Sequence, residues 1–322
     1  MKAIVVSEPG GPEKLVLTEV RDPIPGDDEI LVSAIAAGVN FIDTYHRSGL
    51  YPMDLPFTPG LEGAGTILAV GPGVAAHRPG DVIAWTRAVG SYAEKVVVPC
   101  DQAIPLPDNI SPSTAAALLL QGITAHYLAT DTFPLREGDR CLIHAGAGGV
   151  GLLLTQIAKM AGAEVFTTVG SQEKALLSAG AGADHVILYN DTDFKEAVEQ
   201  ITGSRAIDVI YDGVGAATFL KGLDLLRTRG MMVTFGNASG PPPDISPLAL
   251  AGKGSLFLTR PTMAHYVATR PELLSRTRDL FDWVAEGRLD VRIGAEFALA
   301  DAAEAHRALE GRSTTGKVLI RP

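Results

Sequence analysis

Cysteine is nearly absent: Cys100 and Cys141 are the only two in a chain of 322 residues. Two thiols cannot build a disulfide framework or a cysteine metal centre. Both stand among apolar neighbours, so each is expected to be a buried free thiol of a protein from a reducing compartment, the cytoplasm. A basic excess is missing too. Lys and Arg number 27 against 37 Asp and Glu, for a formal net charge of −10, and no run of basic residues stands out. That excludes phosphate-backbone binding, and so nucleic acid, as the main activity. No apolar run is long enough for a membrane. The longest charge-free stretch, between Asp108 and Asp131, is interrupted by Pro112, Gln121 and His126 and reads as a buried helix. The apolar start Met1–Val6 is too short for a signal peptide and reads as a strand. Fixed-period repeats and low-complexity tracts are absent as well.

What is present is a globular composition, 46% hydrophobic and 20% charged. At roughly 100–200 residues per domain, the length suggests two domains. Gly, at 35 residues, exceeds the average usage of about 7% and points to tight turns and close approaches of backbone to ligand. The first third reads as short strands at 3–6, 15–20, 30–36, 65–70, 81–85 and 92–98. They are separated by Gly10-Gly11-Pro12, Pro23-Ile24-Pro25-Gly26, Gly71-Pro72-Gly73 and Pro79-Gly80-Asp81, a pattern that suggests a barrel-like β domain. After Ser111-Pro112-Ser113 a helix is predicted over 115–129. From Arg140 to Phe235 strands alternate with helices, which means βαβ units and a doubly wound parallel sheet. Past the Pro241-Pro242-Pro243 loop come an apolar edge strand at 255–259, helices at 272–286 and 300–309, and a last strand at 317–320. These last segments carry too little apolar surface for a third domain and are expected to fold back onto the first.

The strongest chemical signal is Gly146-Ala147-Gly148-Gly149-Val150-Gly151, which follows the apolar strand Cys141–Ala145 and opens a helix. In that setting the glycines have separate uses: Gly146 for the tight turn, Gly148 for close approach of a pyrophosphate, and Gly151 for packing of helix on strand. The helix start, at Gly149 and Val150, offers unpaired N–H groups to the phosphates. An NAD site places a carboxylate about 20 residues on, at the end of the second strand. Here that strand ends in Gly170-Ser171 with Lys174 one turn later, a hydroxyl and an ammonium that suit the 2′-phosphate of NADPH. Glu173 falls past the strand end and reads as a solvated helix-surface carboxylate.

Several motifs then resemble one family. The loop above, Gly38-Val39-Asn40-Phe41-Ile42-Asp43-Thr44-Tyr45, Pro59-Gly60-Leu61-Glu62-Gly63-Ala64-Gly65, Leu120-Gln121-Gly122-Ile123-Thr124-Ala125, Val233–Gly240 and Leu258-Thr259-Arg260-Pro261 together span almost the whole chain. They are similar to the zinc-independent medium-chain dehydrogenases/reductases, and among them to the NADPH:quinone oxidoreductases of the zeta-crystallin group. The resemblance implies a GroES-like β-barrel catalytic domain over 1–124, a Rossmann NADP-binding domain over 125–262, and a return of 263–322 to the first. Zinc is not implied: Leu61 stands where the zinc alcohol dehydrogenases carry a His ligand, Asn40 stands near their Cys, and the four-cysteine lobe is missing.

By the same resemblance, Asn40, Asp43, Tyr45 and Tyr51 sit in the substrate cleft beside the nicotinamide. Tyr45 and Tyr51 would bond or stack on the acceptor, and Asn40 would position cofactor and substrate oxygen. Asp43 has a second reading as a helix cap. Gln121 and Thr124 match a hinge helix lining the cleft, and Asn237 joins them as a substrate contact. Lys174 and Tyr189 match the 2′-phosphate pocket, although Asn190-Asp191 follows where the family often has Arg. Phe235, Gly236 and Asn237 match the loop at the nicotinamide end, Leu258 and Arg260 add cofactor contacts, and Lys317 matches a basic residue reaching towards the cofactor. The implied reaction is reduction of a quinone by NADPH, by hydride or one-electron transfer. The alternatives are reduction of an enone or enoyl thioester, or, in a different class, an NADPH-binding structural or RNA-binding crystallin-like protein. The strand at 255–259 lies where such enzymes often form homodimers.

Overall fold

Short apolar runs broken by Gly and Pro become strands, and longer Ala- and Leu-rich runs become helices. The computed structural model describes all 322 residues, Met1–Pro322. Along the chain come β1 (Lys2–Val5), β2 (Val16–Glu19), β3 (Glu29–Val39), α1 (Phe41–Ser48), β4 (Glu62–Val70), β5 (Val82–Thr86), β6 (Lys95–Pro99), β7 (Ala103–Pro105) and α2 (Pro112–Tyr127). Strand and helix then alternate through β8 (Arg140–His144), α3 (Gly149–Met160), β9 (Glu164–Val169), α4 (Gln172–Gly180), β10 (His185–Leu188), α5 (Phe194–Thr202), β11 (Ile207–Asp212), α6 (Phe219–Leu225) and β12 (Leu226–Thr234). The remainder is α7 (Pro247–Gly252), β13 (Phe257–Thr259), α8 (Met263–Tyr266), α9 (Arg270–Ala285), β14 (Ile293–Ala298), α10 (Ala302–Glu310) and β15 (Lys317–Arg321). The chain forms two compact units, Met1–Leu120 with Thr269–Pro322, and Gln121–Ala268.

In the first unit seven strands form one sheet in the order β14-β15-β3-β4-β5-β7, with β6 also on β3. The eleven-residue β3 serves three partners, β15, β4 and β6, all antiparallel. It manages this by bending: its register against β4 shifts between Leu31 and Val32 and again between Ala34 and Ala36. Ile30, Val32, Ile67, Ile83, Trp85, Val96 and Val98 fill one core, and Ile4, Val39, Tyr92, Leu299, Val318 and Ile320 belong to a second.

The second unit holds a six-stranded parallel sheet in the order β10-β9-β8-β11-β12-β13. Its strand order reverses at β8, between β9 and β11, and the crevice beyond the strand ends at such a point is where ligands of doubly wound sheets bind. Leu142, Phe166, Ile210, Phe219, Leu223 and Met232 pack its core.

Some local expectations needed correction. Helix α2 starts at Pro112 and ends at Tyr127, where a π turn over Leu128–Thr132 takes over. The hydroxyl of Tyr211 donates to the carbonyls of Leu128 and Phe133, at 3.1 and 3.3 Å, and so satisfies the groups this turn frees. Cys141 is buried, but Cys100 is only partly so, because it opens a single 3-10 turn whose backbone is held by Arg270.

Candidate active site

The glycine-rich loop joins β8 to α3 in the second unit. Gly146 is a central residue of its tight turn, which closes with the Gly148 N–H donating to the Ala145 carbonyl at 2.9 Å, while the left-handed backbone falls on Ala145, with φ of 57°. Gly146 is needed for packing as well: a Cβ there would stand 2.6 Å from Cβ of Thr167 on β9. Gly151 has the packing use foreseen, since its Cβ would run into the carbonyl of Ala145 and lie 2.9 Å from Cα of Gly146. Gly148 is the N-cap of α3 and places no side chain over the first turn. Its added Cβ would meet only the Ala145 carbonyl, at 3.2 Å. The N–H groups at Gly149, Val150 and Gly151 thus stand at the positive end of a twelve-residue helix with no side-chain cap, which is chemistry for an anion. Against Gly149 lies the amide of Gln121, which fills the space a Cβ would take and whose buried Oε1 accepts no hydrogen bond.

At the end of β9, Ser171 caps α4 by accepting the Lys174 N–H at 3.3 Å, which sets Lys174 in the first turn of that helix. Tyr189, partly exposed, follows β10, and its hydroxyl would be 2.6 Å from a Cβ on Gly170. Asn190 Nδ2 donates to the Gly170 carbonyl at 2.7 Å. Ser171, Lys174 and Tyr189 therefore share one corner of the sheet, and Glu173 is exposed on the surface of α4.

The loops after β11 and β12 are knitted together by glycine. Buried Asp212 accepts the N–H groups of Val214 and Gly215 at 2.8 and 3.0 Å and the Thr218 hydroxyl at 2.9 Å. Phe235 N–H donates to the Asp212 carbonyl at 2.8 Å, and its ring lies where a Cβ of Gly213 would be. Gly236 backs onto Gly213 so closely that a Cβ would stand 2.5 Å from its carbonyl oxygen. Arg260 then clamps this loop, donating from Nη1 to Thr234 Oγ1 and the Gly236 carbonyl at 3.0 and 3.1 Å. Leu258 sits half-exposed on the outer strand β13, and Thr124 is buried in α2 three residues after Gln121. Asp212 was not foreseen; the Asp-Gly-Val-Gly run ending a predicted strand was its only signal.

In the first unit α1 starts at Asn40. The Asp43 carboxylate accepts the Asn40 N–H at 2.8 Å and the Tyr92 hydroxyl at 2.9 Å. Asp43 has no exposed surface. Burial pushes its carboxyl up to about 7, against the opposite pull of those two donors and of the Lys317 charge. It is therefore the cap and not a group that meets substrate, which corrects its expected place in the cleft. Tyr45 is nearly buried on α1 and meets Tyr51 edge-on at 5.2 Å between ring centroids. The Tyr51 N–H donates to the Tyr45 carbonyl at 3.1 Å, which fixes the loop that carries the second ring.

Lys317 also departs from expectation. It is neither a solvated terminal lysine nor a cofactor contact: it is 1% exposed and ion-paired with Glu62, itself 0% exposed. Asn40 closes the triangle, accepting from Lys317 Nζ at 2.8 Å and donating to Glu62 Oε1 at 2.7 Å, while the Leu120 N–H donates to Glu62 Oε2 at 2.7 Å. Both ends of the Asn40 amide are engaged, so its part is to fix the start of α1. Burial of such a pair is tolerable only because every charge finds partners.

These residues do not fit zinc. Asn40, Leu61 and Glu62 supply one carboxylate already neutralised by an ammonium, and no group of three His, Cys, Asp or Glu side chains is arranged to hold a metal ion.

Comparison with known proteins agrees with this architecture. Residues 26–108 match the alcohol dehydrogenase GroES-like domain, and residues 149–285 match the family described as zinc-binding dehydrogenase. The chain is 44% identical to a quinone oxidoreductase of Salmonella typhimurium over 97% of both chains. It is 38% identical to a 2-haloacrylate reductase of a Burkholderia species, over 99% of this chain and 98% of that one. The crystal structure of Escherichia coli quinone oxidoreductase complexed with NADPH superposes with a TM-score of 0.97 at 41% identity, covering 100% of both chains. A GroES-like unit joined to a Rossmann unit, with likeness of this degree over the full length, places the chain in the quinone oxidoreductase family of the medium-chain dehydrogenases/reductases.

Proposed function

We propose that the chain is an NADPH-dependent quinone reductase of the cytoplasm. The observation that carries the reading is the uncapped start of α3 behind its glycine loop, with Ser171, Lys174 and Tyr189 past the end of β9 and Glu173, the carboxylate of that first turn, exposed on α4. The loop N–H groups hold the pyrophosphate; Lys174, Ser171 and Tyr189 hold the 2′-phosphate. Phe235, Gly236, Leu258 and the Arg260-clamped loop support the nicotinamide end. When bound, NADPH supplies a hydride that, with one proton from water, converts a quinone to its hydroquinone. The chain's own part is to place the acceptor and to stabilise the charge that develops on its oxygen. Tyr45 donates its phenol to that oxygen and Tyr51 offers its ring face.

Likeness to a 2-haloacrylate reductase supports a second reading, reduction of an activated C=C bond by the same hydride geometry. A panel of 1,4-benzoquinone, 9,10-phenanthrenequinone, 2-chloroacrylate, a crotonyl thioester and a simple alcohol separates the two when NADPH and NADH oxidation are followed in parallel. Quinones are expected to be turned over fastest, with NADPH. Turnover of chloroacrylate without turnover of any quinone would establish the second reading. The Tyr45→Phe variant is expected to lose more than tenfold in turnover, within the range for a positioned hydrogen-bond donor.

A further inference from the structure

Beneath α1 lies a row of buried polar side chains that the reaction as described does not use. Arg47, on the last turn of α1, forms a two-point pair with Glu310 of α10, at 2.9 and 2.7 Å. Its Nη1 also contacts His306 Nδ1 at 3.0 Å, and the other ring nitrogen of His306 is 3.1 Å from the Tyr92 hydroxyl. Tyr92 in turn donates to Asp43 at 2.9 Å. Arg47, Tyr92, His306 and Asp43 are all buried.

Donor and acceptor rules fix the direction of this row. A guanidinium only donates, so His306 Nδ1 accepts and the ring proton sits on Nε2. Burial and the facing Arg47 keep the ring neutral, with its pKa lowered to about 3. Nε2–H then donates to the Tyr92 oxygen, which leaves the single Tyr92 O–H for Asp43. Every link points the same way, from the cation at Arg47 to the carboxylate at Asp43. A proton wire needs links that can reverse, and the guanidinium end forbids it. Such a row polarises its members cooperatively and holds them rigidly.

We infer that Tyr92 and His306 are positioning residues for the reaction: the directed row from Arg47 fastens Asp43, and through it the start of α1, which Asn40 caps and whose second turn carries Tyr45. The inference rests on the quinone-reductase reading above. Neither residue meets substrate. Around Asp43 the charged and titratable groups are Tyr92, Glu62 of β4 and Lys317 of β15, with His306 and Glu310 of α10 and Arg47 further along the row. Of these, Lys317 and the Tyr92 hydroxyl favour the carboxylate, whereas Glu62 and burial oppose it.

The test is the pH profile of kcat with a quinone. Wild type is expected to lose activity as pH falls through about 7, where Asp43 takes up its proton and becomes a weaker acceptor. Tyr92→Phe removes one donor from the carboxylate, so this limb should move up by about one pH unit. At pH 7 the variant then turns over roughly fivefold slower, recovers by pH 9, and keeps its affinity for NADPH. H306Q, whose amide N–H reaches the place of Nε2–H, should restore most of what H306A loses. Coincident profiles for wild type and Y92F, or a loss in Y92F that pH does not recover, would overturn the inference. Wild type inactive with every quinone would instead overturn the functional reading, so the two failures are distinct.

Discussion

In the proposed 2′-phosphate pocket, Lys174 is the residue on which cofactor choice is expected to turn. Ser171 orders the first turn of α4 around it, and Glu173 beside it faces solvent. Lys174→Ala removes an ammonium opposite a doubly charged phosphate, a charge-assisted contact of about 1.5–3 kcal/mol. KM for NADPH should therefore rise roughly tenfold to a hundredfold while KM for NADH stays within a factor of two. Equal changes for both nucleotides would refute the pocket. Asp43 supports a prediction about stability. Its carboxyl titrates near 3.8 when unfolded and at about 7 when folded. Between those values the folded chain holds the extra proton, so the stabilisation is complete below 3.8 and is lost as pH rises through 7. Asp43→Asn keeps an acceptor for Tyr92 and the Asn40 N–H and does not ionise. Urea unfolding should show wild type weakening from pH 5 to pH 8 by up to about 2.5 kcal/mol and the variant changing much less. Parallel curves would refute the assignment of this titration to Asp43.

At the scale of elements, the β8–loop–α3 unit separates packing from binding. Gly151→Ala drives a methyl group into the Ala145 carbonyl and pushes the helix off the strand, with an expected loss of about 1–3 kcal/mol. Gly148→Ala meets only one atom, at 3.2 Å, and its φ of −78° suits any residue. Its stability should stay within about 0.5 kcal/mol of wild type, yet its methyl group occupies the phosphate approach, so calorimetry should find NADPH affinity at least tenfold lower. A G148A variant that binds as well as wild type would disprove the phosphate role. The contrast also shows what sequence conveys. A strand, a glycine run and a helix adjacent in the chain are written locally, so this element and the alternating strands around it were legible. The left-handed turn was not, because Ala145 carries no glycine signature. Nor was the burial of Lys317, whose partner Glu62 lies 255 positions away. Tyr92 and His306, 214 positions apart, gave no signal at all, since only the fold brings them together. Strand β14 was overlooked because its Gly294 and Ala295 blur the apolar alternation that marks a half-buried strand.

At the scale of the whole molecule, the second unit's sheet ends in two edge strands, β10 and β13, and of the two only β13 carries exposed large apolar side chains. β13 pairs only with β12, and Phe257, 55% exposed, and Leu258, 39% exposed, stand on its two faces. Leu248 on α7, nine residues earlier, is 80% exposed. An unpaired strand with apolar side chains is a template for another strand, and a soluble protein covers it, charges it or shortens it. We propose that a second copy covers these apolar side chains by pairing with β13, one sheet running across two chains about a twofold axis. Sedimentation at micromolar concentration should therefore give twice the chain mass of 33.7 kDa. The Leu248→Glu, Phe257→Glu double variant sets like charges against each other across that axis and should sediment at the single-chain mass, with its second unit still folded by circular dichroism and still binding NADPH. A wild-type monomer, or a double variant that remains dimeric, would show that β13 is not where two chains meet.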